Sequence, residues 1–328
     1  MKGKVLVTGG AGYIGSHTVK RLLGKGYGVV IIDNLAGGNE KMVLSDNFAR
    51  VDLKNRSALR NVFEKYSIEA VIHFAAHCRV KESVDDPQKY YLNNVSNGLN
   101  LLKVMLENDV KNLVFSSSAA VYGDPEEVPI PEDAPKDPES PYGRTKWFFE
   151  QILAEYSAAY EMNTVSLRYF NAAGSDPEGE VGEFHDPETH LIPIVLEVPR
   201  GKRDRVEIFG TDYETFDGTC IRDYIHVMDL ADAHISALEG LMNYGDGVNK
   251  VYNLGTGKGH SVKEVIETCR EVTGLDIPAK EAPRRAGDPP RLIADPSRAK
   301  EELDWEPEIS SLKEIISTSW DWFKSNKL

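Results

Sequence analysis

The sequence predicts an α/β fold, a doubly wound parallel sheet followed by a smaller mixed α/β domain. Three features point there. Short apolar runs of strand length alternate with stretches of helical period over the first half, the pattern that builds a parallel sheet with helices on both faces. The first apolar run enters a glycine-rich turn with a helical pattern directly behind it. After Phe170 the texture changes, because residues 171–188 are rich in Gly, Pro and acidic residues and read as a loop between two units. The expected units are residues 1–172 and 173–328, with part of 224–258 packing back on the first.

Taken in order, Val5-Leu6-Val7 is the first strand, followed by Gly9-Gly10-Ala11-Gly12-Tyr13-Ile14-Gly15 and a helix from Ser16 to Leu23. Glycines at 9, 12 and 15 let the backbone turn tightly and present N–H groups and a helix N-terminus to a pyrophosphate, the Rossmann-type arrangement. A second strand, Val29-Val30-Ile31-Ile32, ends at Asp33, eighteen residues after Gly15. A carboxylate there accepts hydrogen bonds from an adenosine ribose and repels a 2'-phosphate, which favours NAD over NADP. Phe48 to Val51 reads as a third strand ending at Asp52, which either meets the adenine amino group or caps the helix over Ser57 to Lys65.

Ala70 to Ala76 is a buried parallel strand whose small end residues, Ala75 and Ala76, permit close backbone approach to a cofactor. His73 within it reads as a core histidine. A long helix is expected after Pro87, over Tyr90 to Glu107, with Val95, Leu99, Leu102 and Leu106 inward. Leu113-Val114-Phe115 delivers Ser116-Ser117-Ser118, and Asn163 to Phe170 forms a sixth strand. Asp33, Ala75, Ser118 and Asn171 all fall just past strand ends, on the carboxyl edge where ligands bind in such sheets. Pro125 to Ser140, with five prolines among many acids, reads as a mobile flap over that edge.

The chemistry centres on Ser140-Pro141-Tyr142-Gly143-Arg144-Thr145-Lys146. Ser140 is a good N-cap and Pro141 suits the first helical position, so a helix begins here and sets Tyr142 and Lys146 one turn apart on one face. Of the fourteen tyrosines only Tyr142 has lysine four residues on. To act as a base near neutrality, a phenol titrating near ~10 needs a shift of about three units, or roughly 4 kcal/mol. One positive charge about 5 Å away supplies roughly 3 kcal/mol at an effective dielectric near 20. Lysine alone falls short, and the positive ring of an oxidised nicotinamide would close the gap.

Composition bounds the alternatives. The 328 residues carry a net charge of -14, which argues against a general binder of nucleic acid or anionic membranes. An anionic substrate then needs local arginines, and Arg222 and Arg284-Arg285 are the candidates, with Phe209 as core residue or stacking platform. Cys78, Cys220 and Cys269 lack metal-type spacing and read as reduced packing residues, and no metal is expected. No apolar run approaches a membrane span and no signal peptide is evident, so a cytoplasmic protein is expected.

With Thr8 to His17, Ser116-Ser117-Ser118, Tyr142 to Lys146, Arg168-Tyr169-Phe170-Asn171 and Arg222-Asp223-Tyr224-Ile225-His226 in this order, essentially the whole chain resembles the extended short-chain dehydrogenase/reductase family. Within it, the pattern looks like that of enzymes epimerising UDP-hexoses at C4. The resemblance implies interconversion of UDP-galactose and UDP-glucose through a 4-keto sugar with tightly held NAD, by a cytoplasmic homodimer. It implies Tyr142 as the base, Lys146 as the group that lowers its pKa and holds the nicotinamide ribose, and Ser118 as the hydrogen-bond partner of the reacting oxygen. Around NAD it places Gly9, Gly12, Tyr13, Ile14, Gly15, Asp33, Asn34, Asp52, Leu53, Phe74, Ala75, Ala76, Asn94, Ser116 and Tyr169. Around the UDP-sugar it places Asn171, His190, Leu191, Phe209, Arg222, Arg285, Asp288 and Leu292. His190 stands where some relatives carry asparagine, and Leu292 where some carry a tyrosine that walls off the sugar's 2-position. Alternatives are epimerisation of UDP-N-acetylhexosamines or UDP-pentoses, a nucleotide-sugar 4,6-dehydratase, and a non-catalytic NAD sensor. Ser118-Ala119-Ala120 offers no acid to protonate a departing hydroxyl, which disfavours dehydration, and a sensor has no use for Ser118, Tyr142 and Lys146 together.

Overall fold

The computed structural model describes residues 2–285 and 287–325. Its strands are β1 (Lys2–Thr8), β2 (Tyr27–Asp33), β3 (Phe48–Arg50), β4 (Ile68–His73), β5 (Asn112–Ser116), β6 (Asn163–Tyr169), β7 (Asn171–Ala173), β8 (Val206–Phe209), β9 (Ile221–His226), β10 (Asn249–Leu254), β11 (Gly259–Ser261), β12 (Ala279–Ala282) and β13 (Arg291–Leu292). The helices are α1 (Tyr13–Gly24), α2 (Arg56–Lys65), α3 (Val80–Asp85), α4 (Pro87–Tyr90), α5 (Asn97–Glu107), α6 (Pro141–Tyr160), α7 (Leu191–Glu197), α8 (Val227–Leu241), α9 (Val262–Thr273), α10 (Ser297–Leu303) and α11 (Leu312–Lys324). Among the described residues no helix is long and apolar enough to cross a membrane.

Seven strands form one all-parallel sheet in the order β3-β2-β1-β4-β5-β6-β10, the doubly wound arrangement the sequence predicts. Its strands are apolar on both faces because both are covered. Val5, Val7, Ile31 and Ile72 pack with Val19 and Leu22 of α1 and Leu230 and Leu238 of α8. Leu6, Val30, Ile32 and Val71 point the other way, onto Leu59 of α2, Leu102 of α5 and Phe149 of α6. The sheet thus takes its seventh strand and one covering helix from beyond residue 224, and Ala299 and Leu303 of α10 join the same core. The remaining elements form small sheets, β11-β9-β13 with β7 on β9 and β8 beside β12, over a core contributed by α7, α9 and α11.

Two expectations need correction. The predicted helix over Tyr90 to Glu107 is interrupted by a π-helical stretch, Tyr91–Ser96, before α5. The buried positions are Asn94, Gly98, Leu101, Val104, Met105 and, as expected, Leu102, with Leu106 part-buried on the same core, while Leu99 is exposed. A polar residue and a glycine lead the buried face, and a Cβ on Gly98 would lie 2.4 Å from the Phe149 ring, so apolar period finds Leu102 and Leu106 but misplaces Leu99 and misses Asn94 and Gly98. Residues 125–140 are also anchored rather than loose. Ile130 is fully buried, its N–H donates to the Ile293 carbonyl at 2.8 Å, and its carbonyl accepts from Asp295 N–H at 3.0 Å.

Candidate active site

The carboxyl edge of the sheet gathers most of the predicted positions, and the glycine turn is the firmest part. Gly9 has φ +74°, and a Cβ there would lie 2.8 Å from Ala75 N, while one on Gly15 would lie 2.2 Å from the Gly9 carbonyl oxygen. These glycines press α1 onto the turn. Gly12 is the N-cap of α1 and brings no side-chain cap, so the first-turn N–H groups remain open to an anion. Asp33 ends β2 and accepts from Ala11 N–H at 3.1 Å and Leu35 N–H at 2.8 Å. Burial pushes its carboxyl up, and those two N–H groups hold it down. A cradle without a capping side chain beside a fixed carboxylate fits a dinucleotide, with the pyrophosphate at Gly12 to Gly15 and the ribose at Asp33.

Other positions predicted to meet the cofactor have visible work within the protein. Asn34 Nδ2 donates to Asp52 at 3.1 Å, and the Leu53 carbonyl accepts from Asn100 at 3.1 Å. Tyr13 turns its hydroxyl to the Gly174 carbonyl at 2.6 Å, leaving only the backbone of Tyr13 and Ile14 to the anion cradle. Phe74, half-buried after β4, packs on His234 with ring centroids 4.6 Å apart, and Ala75 and Ala76 follow it. Asn94 accepts from His77 N–H at 2.8 Å and donates to the His77 carbonyl at 2.9 Å and to Thr145 Oγ1 at 3.1 Å, which clips the chain after β4 to α6. Ser116 bonds the Tyr169 hydroxyl.

Helix α6 begins as predicted, with Ser140 Oγ accepting from Gly143 N–H at 3.1 Å and Pro141 in the first turn. A Cβ on Gly143 would lie 2.4 Å from the Ala120 carbonyl oxygen, so the helix start is seated on the turn Ala119–Val121 that Ser118 caps. That contact brings the Tyr142 phenol close enough to Ser118 for the two to interact. Lys146 is buried, donates to the Ser116 carbonyl at 2.6 Å, and holds Nζ 5.9 Å from the Tyr142 ring centroid. Burial pushes the Tyr142 phenol well above its ordinary value, Cys78 adds to the rise, and Ser118 acts downward. Burial also lowers Lys146 to about 8, opposed by Cys78 and Glu150. The lysine-driven depression of the phenol argued from spacing is not among the influences on Tyr142 in the protein alone, where burial dominates, and the shift falls to a positive charge brought in beside the ring.

A network that sequence reasoning missed sits directly behind this pair. Glu150 lies one further turn along α6 and is buried against Arg168 of β6, whose Nε donates to its Oε1 at 3.0 Å, and Ser117 donates to the same carboxylate. Arg168 Nη1 donates to the Tyr122 hydroxyl at 2.8 Å and the Glu132 carbonyl at 2.9 Å, and Tyr122 donates to Asn253 at 2.7 Å. The four-residue steps 142, 146 and 150 were the available signal. Both charges are 2% exposed at the side chain, so breaking the pair leaves an uncompensated buried ion. Arg168→Met is expected to destabilise the fold by about 3–5 kcal/mol in denaturant unfolding, and a loss under about 1 kcal/mol would refute the role assigned to this pair.

Predicted substrate positions separate into two groups. Arg222 pairs with Asp288, and Arg285 lies over the Phe209 ring at 3.9 Å, beside a cavity of about 390 Å³ lined also by Asp124, Glu139 and Arg284. Phe209 thus carries a guanidinium on its face, and Ala286 of the same motif lies outside the described residues. Asn171 of β7 donates to the Asp223 carbonyl at 3.2 Å. Leu292 pairs in register with Arg222 and is half-buried against the cluster of Ala119, Tyr122 and Phe170, so it is partly a core residue. His190 caps α7 ahead of Leu191 and contacts Glu188 at 2.9 Å rather than any other predicted substrate residue. His73 is the core histidine expected, bonded to Thr8 at 2.7 Å.

Comparison with known proteins agrees with this geometry. The sequence profile of the NAD dependent epimerase/dehydratase family matches residues 5–255. The UDP-glucose 4-epimerase of Halalkalibacterium halodurans is 53% identical over 322 residues, covering 98% of this chain and 96% of that one. A crystal structure of UDP-glucose 4-epimerase from Brucella ovis in complex with NAD superposes with a TM-score of 0.95 at 49% identity, covering 98% of each chain. The Bifidobacterium longum UDP-glucose 4-epimerase in complex with NAD+ and UDP gives 0.92 at 40% identity over 98% of each chain. This chain belongs to the NAD dependent epimerase/dehydratase family.

Proposed function

We propose that this chain interconverts UDP-galactose and UDP-glucose by reversible 4-epimerisation, with Tyr142 as the base. The observation that carries the reading is the meeting of Tyr142, Ser118 and Lys146 at the carboxyl edge of the sheet that also bears the uncapped glycine turn. The chemistry that NAD supplies when bound is reversible hydride exchange with C4 of the sugar. Gly9 to Gly15, Asp33, Asn34, Asp52 and the chain after β4 hold it. Tyr142 takes the O4 proton as C4 is oxidised to the ketone and returns it when the opposite face is reduced. Ser118 orients that oxygen, and Lys146 keeps a positive charge beside the phenolate. Arg222 and Arg285 face the diphosphate, so the Arg222–Asp288 and Arg285–Phe209 contacts exchange for contacts to the nucleotide.

In the same reading, residues 173–328 form the nucleotide-sugar unit and the protein is a cytoplasmic homodimer. Exposed Leu92, Leu99 and Phe148, on neighbouring helices, support a paired face there. Leu292 in place of an aromatic supports weaker turnover of the N-acetylhexosamine pair, since an overpacked contact commonly costs ~1–3 kcal/mol. The purified protein, incubated with UDP-galactose and no added NAD, is expected to form UDP-glucose and release little NADH. NADH released in proportion to product would show a dehydrogenase instead.

A further inference from the structure

The loop entering α7 brings together Glu183, His185, Glu188 and His190, with one donor atom from each within 4.8 Å of the others. His190 Nδ1 is 2.9 Å from Glu188 Oε1 and 3.2 Å from Glu183 Oε1. His185 Nδ1 is 3.4 Å from Glu183 Oε1 and 3.4 Å from Glu188 Oε2. Donors around a tetrahedral zinc, with bonds of about 2.0–2.2 Å, stand about 3.3 Å apart, which is the spacing found here.

A second observation points the same way. The Glu183 side chain is 1% exposed, and neither of its oxygens has a hydrogen-bond partner among the described residues. Both imidazole Nδ1 atoms lie at ion-pair distance from it but outside hydrogen-bonding geometry, so a buried carboxylate is aimed at the centre of the cluster without a hydrogen bond of its own. The loop backbone is held for this: Trp322 Nε1 donates to the Glu183 carbonyl at 3.1 Å, and Arg79 donates to the Asp186 carbonyl. A Cβ on Gly182 would lie 2.2 Å from the Trp322 ring, so the glycine admits that brace.

We propose that Glu183, His185, Glu188 and His190 form a structural site for a divalent first-row metal, filled by Zn²⁺. Two carboxylates neutralise the dication, and two imidazoles select against Mg²⁺ and Ca²⁺, which prefer all-oxygen shells. A cavity of about 100 Å³ against Glu183, His185 and Glu188 provides access. The ion braces the loop that caps α7 and takes no part in proton or hydride transfer.

The test starts from full-length protein stripped with a chelator and titrated with Zn²⁺ against a chromogenic competitor. About one Zn²⁺ per chain is expected to bind, to raise the thermal midpoint, and to be displaced by the chelator with reversal of that rise. Co²⁺ in its place is expected to give the visible d–d absorption of a tetrahedral centre. His185→Ala/Glu188→Ala is expected to lose the ion, the absorption and the chelator sensitivity together. The proposal is overturned if the wild type competes for neither Zn²⁺ nor Co²⁺ at micromolar concentration, leaving a salt-bridge cluster only, or if the double variant keeps stoichiometric metal. The wild-type titration decides the matter even if the variant does not fold.

Discussion

Tyr142→Phe is expected to yield a folded protein that retains NAD yet turns over UDP-galactose about 10²–10⁴-fold more slowly, the contribution of a positioned acid–base group. The ring stays in its buried place at the start of α6 and only the hydroxyl beside Ser118 is removed, so stability changes little. Lys146→Met is expected to lower turnover and to move the rising limb of the pH profile upward, since the phenol then lacks its nearest positive charge. Measuring the initial rate and the NAD released on denaturation for each variant checks both. Tyr142→Phe at near wild-type rate would remove Tyr142 from its role, and an unchanged profile in Lys146→Met would remove the lysine.

The second large effect is acid lability. His17, His73, His226 and His234 are buried, and desolvation lowers them to about 4, 3, 3 and 4. Two are neutral by bonding pattern as well, because His17 Nε2 accepts from Asp176 N–H at 3.2 Å and His226 Nδ1 accepts from Met228 N–H at 3.1 Å. Their folded pKa values lie below the unfolded ~6.5, so the unfolded chain binds more protons as pH falls and stability drops with it. From about pH 6.5 to 5.5 the loss is about 1 kcal/mol for each histidine, or about 4 kcal/mol in all. In the metal-free protein His185, raised to about 9, and His190, raised well above its ordinary value, act in the opposite sense, but most of their contribution is already present at ~6.5 and offsets little of that slope. The urea midpoint is expected to fall steeply across this interval, and a flat profile down to pH 5 would refute the assignment.

The main sheet was legible because its strands carry apolar runs with glycine or carboxylate punctuation at their ends, on the edge where the predicted site residues gather. Tyr142 and Lys146 were legible for the same local reason, a capped helix start. What escaped depended on distant partners. Asn94 and Gly98 face inward because Thr145 and Phe149 await them, which apolar period cannot encode. Glu150 and Arg168 are charged residues in a core, visible only once α6 and β6 are side by side. Glu183, His185, Glu188 and His190 stood in plain sequence, but a metal was sought only among cysteines. The flap reading failed because five prolines in 125–140 were taken as freedom, whereas Ile130 is tied to residues 293 and 295.

The seventh strand has a consequence for how the protein is made. A chain emerging from the ribosome completes β6 at Tyr169 but reaches its neighbour β10 only at Asn249, several seconds later at ~5–20 residues per second. Through that interval the edge of β6 has open backbone groups, and the sheet face that α8 will cover is bare until Leu241 has been synthesised. The nascent chain therefore passes through a stage in which the glycine turn and its neighbouring strands have been synthesised but the sheet is unfinished, and it is during translation, more than in the mature enzyme, that the β6 edge is open to mispairing.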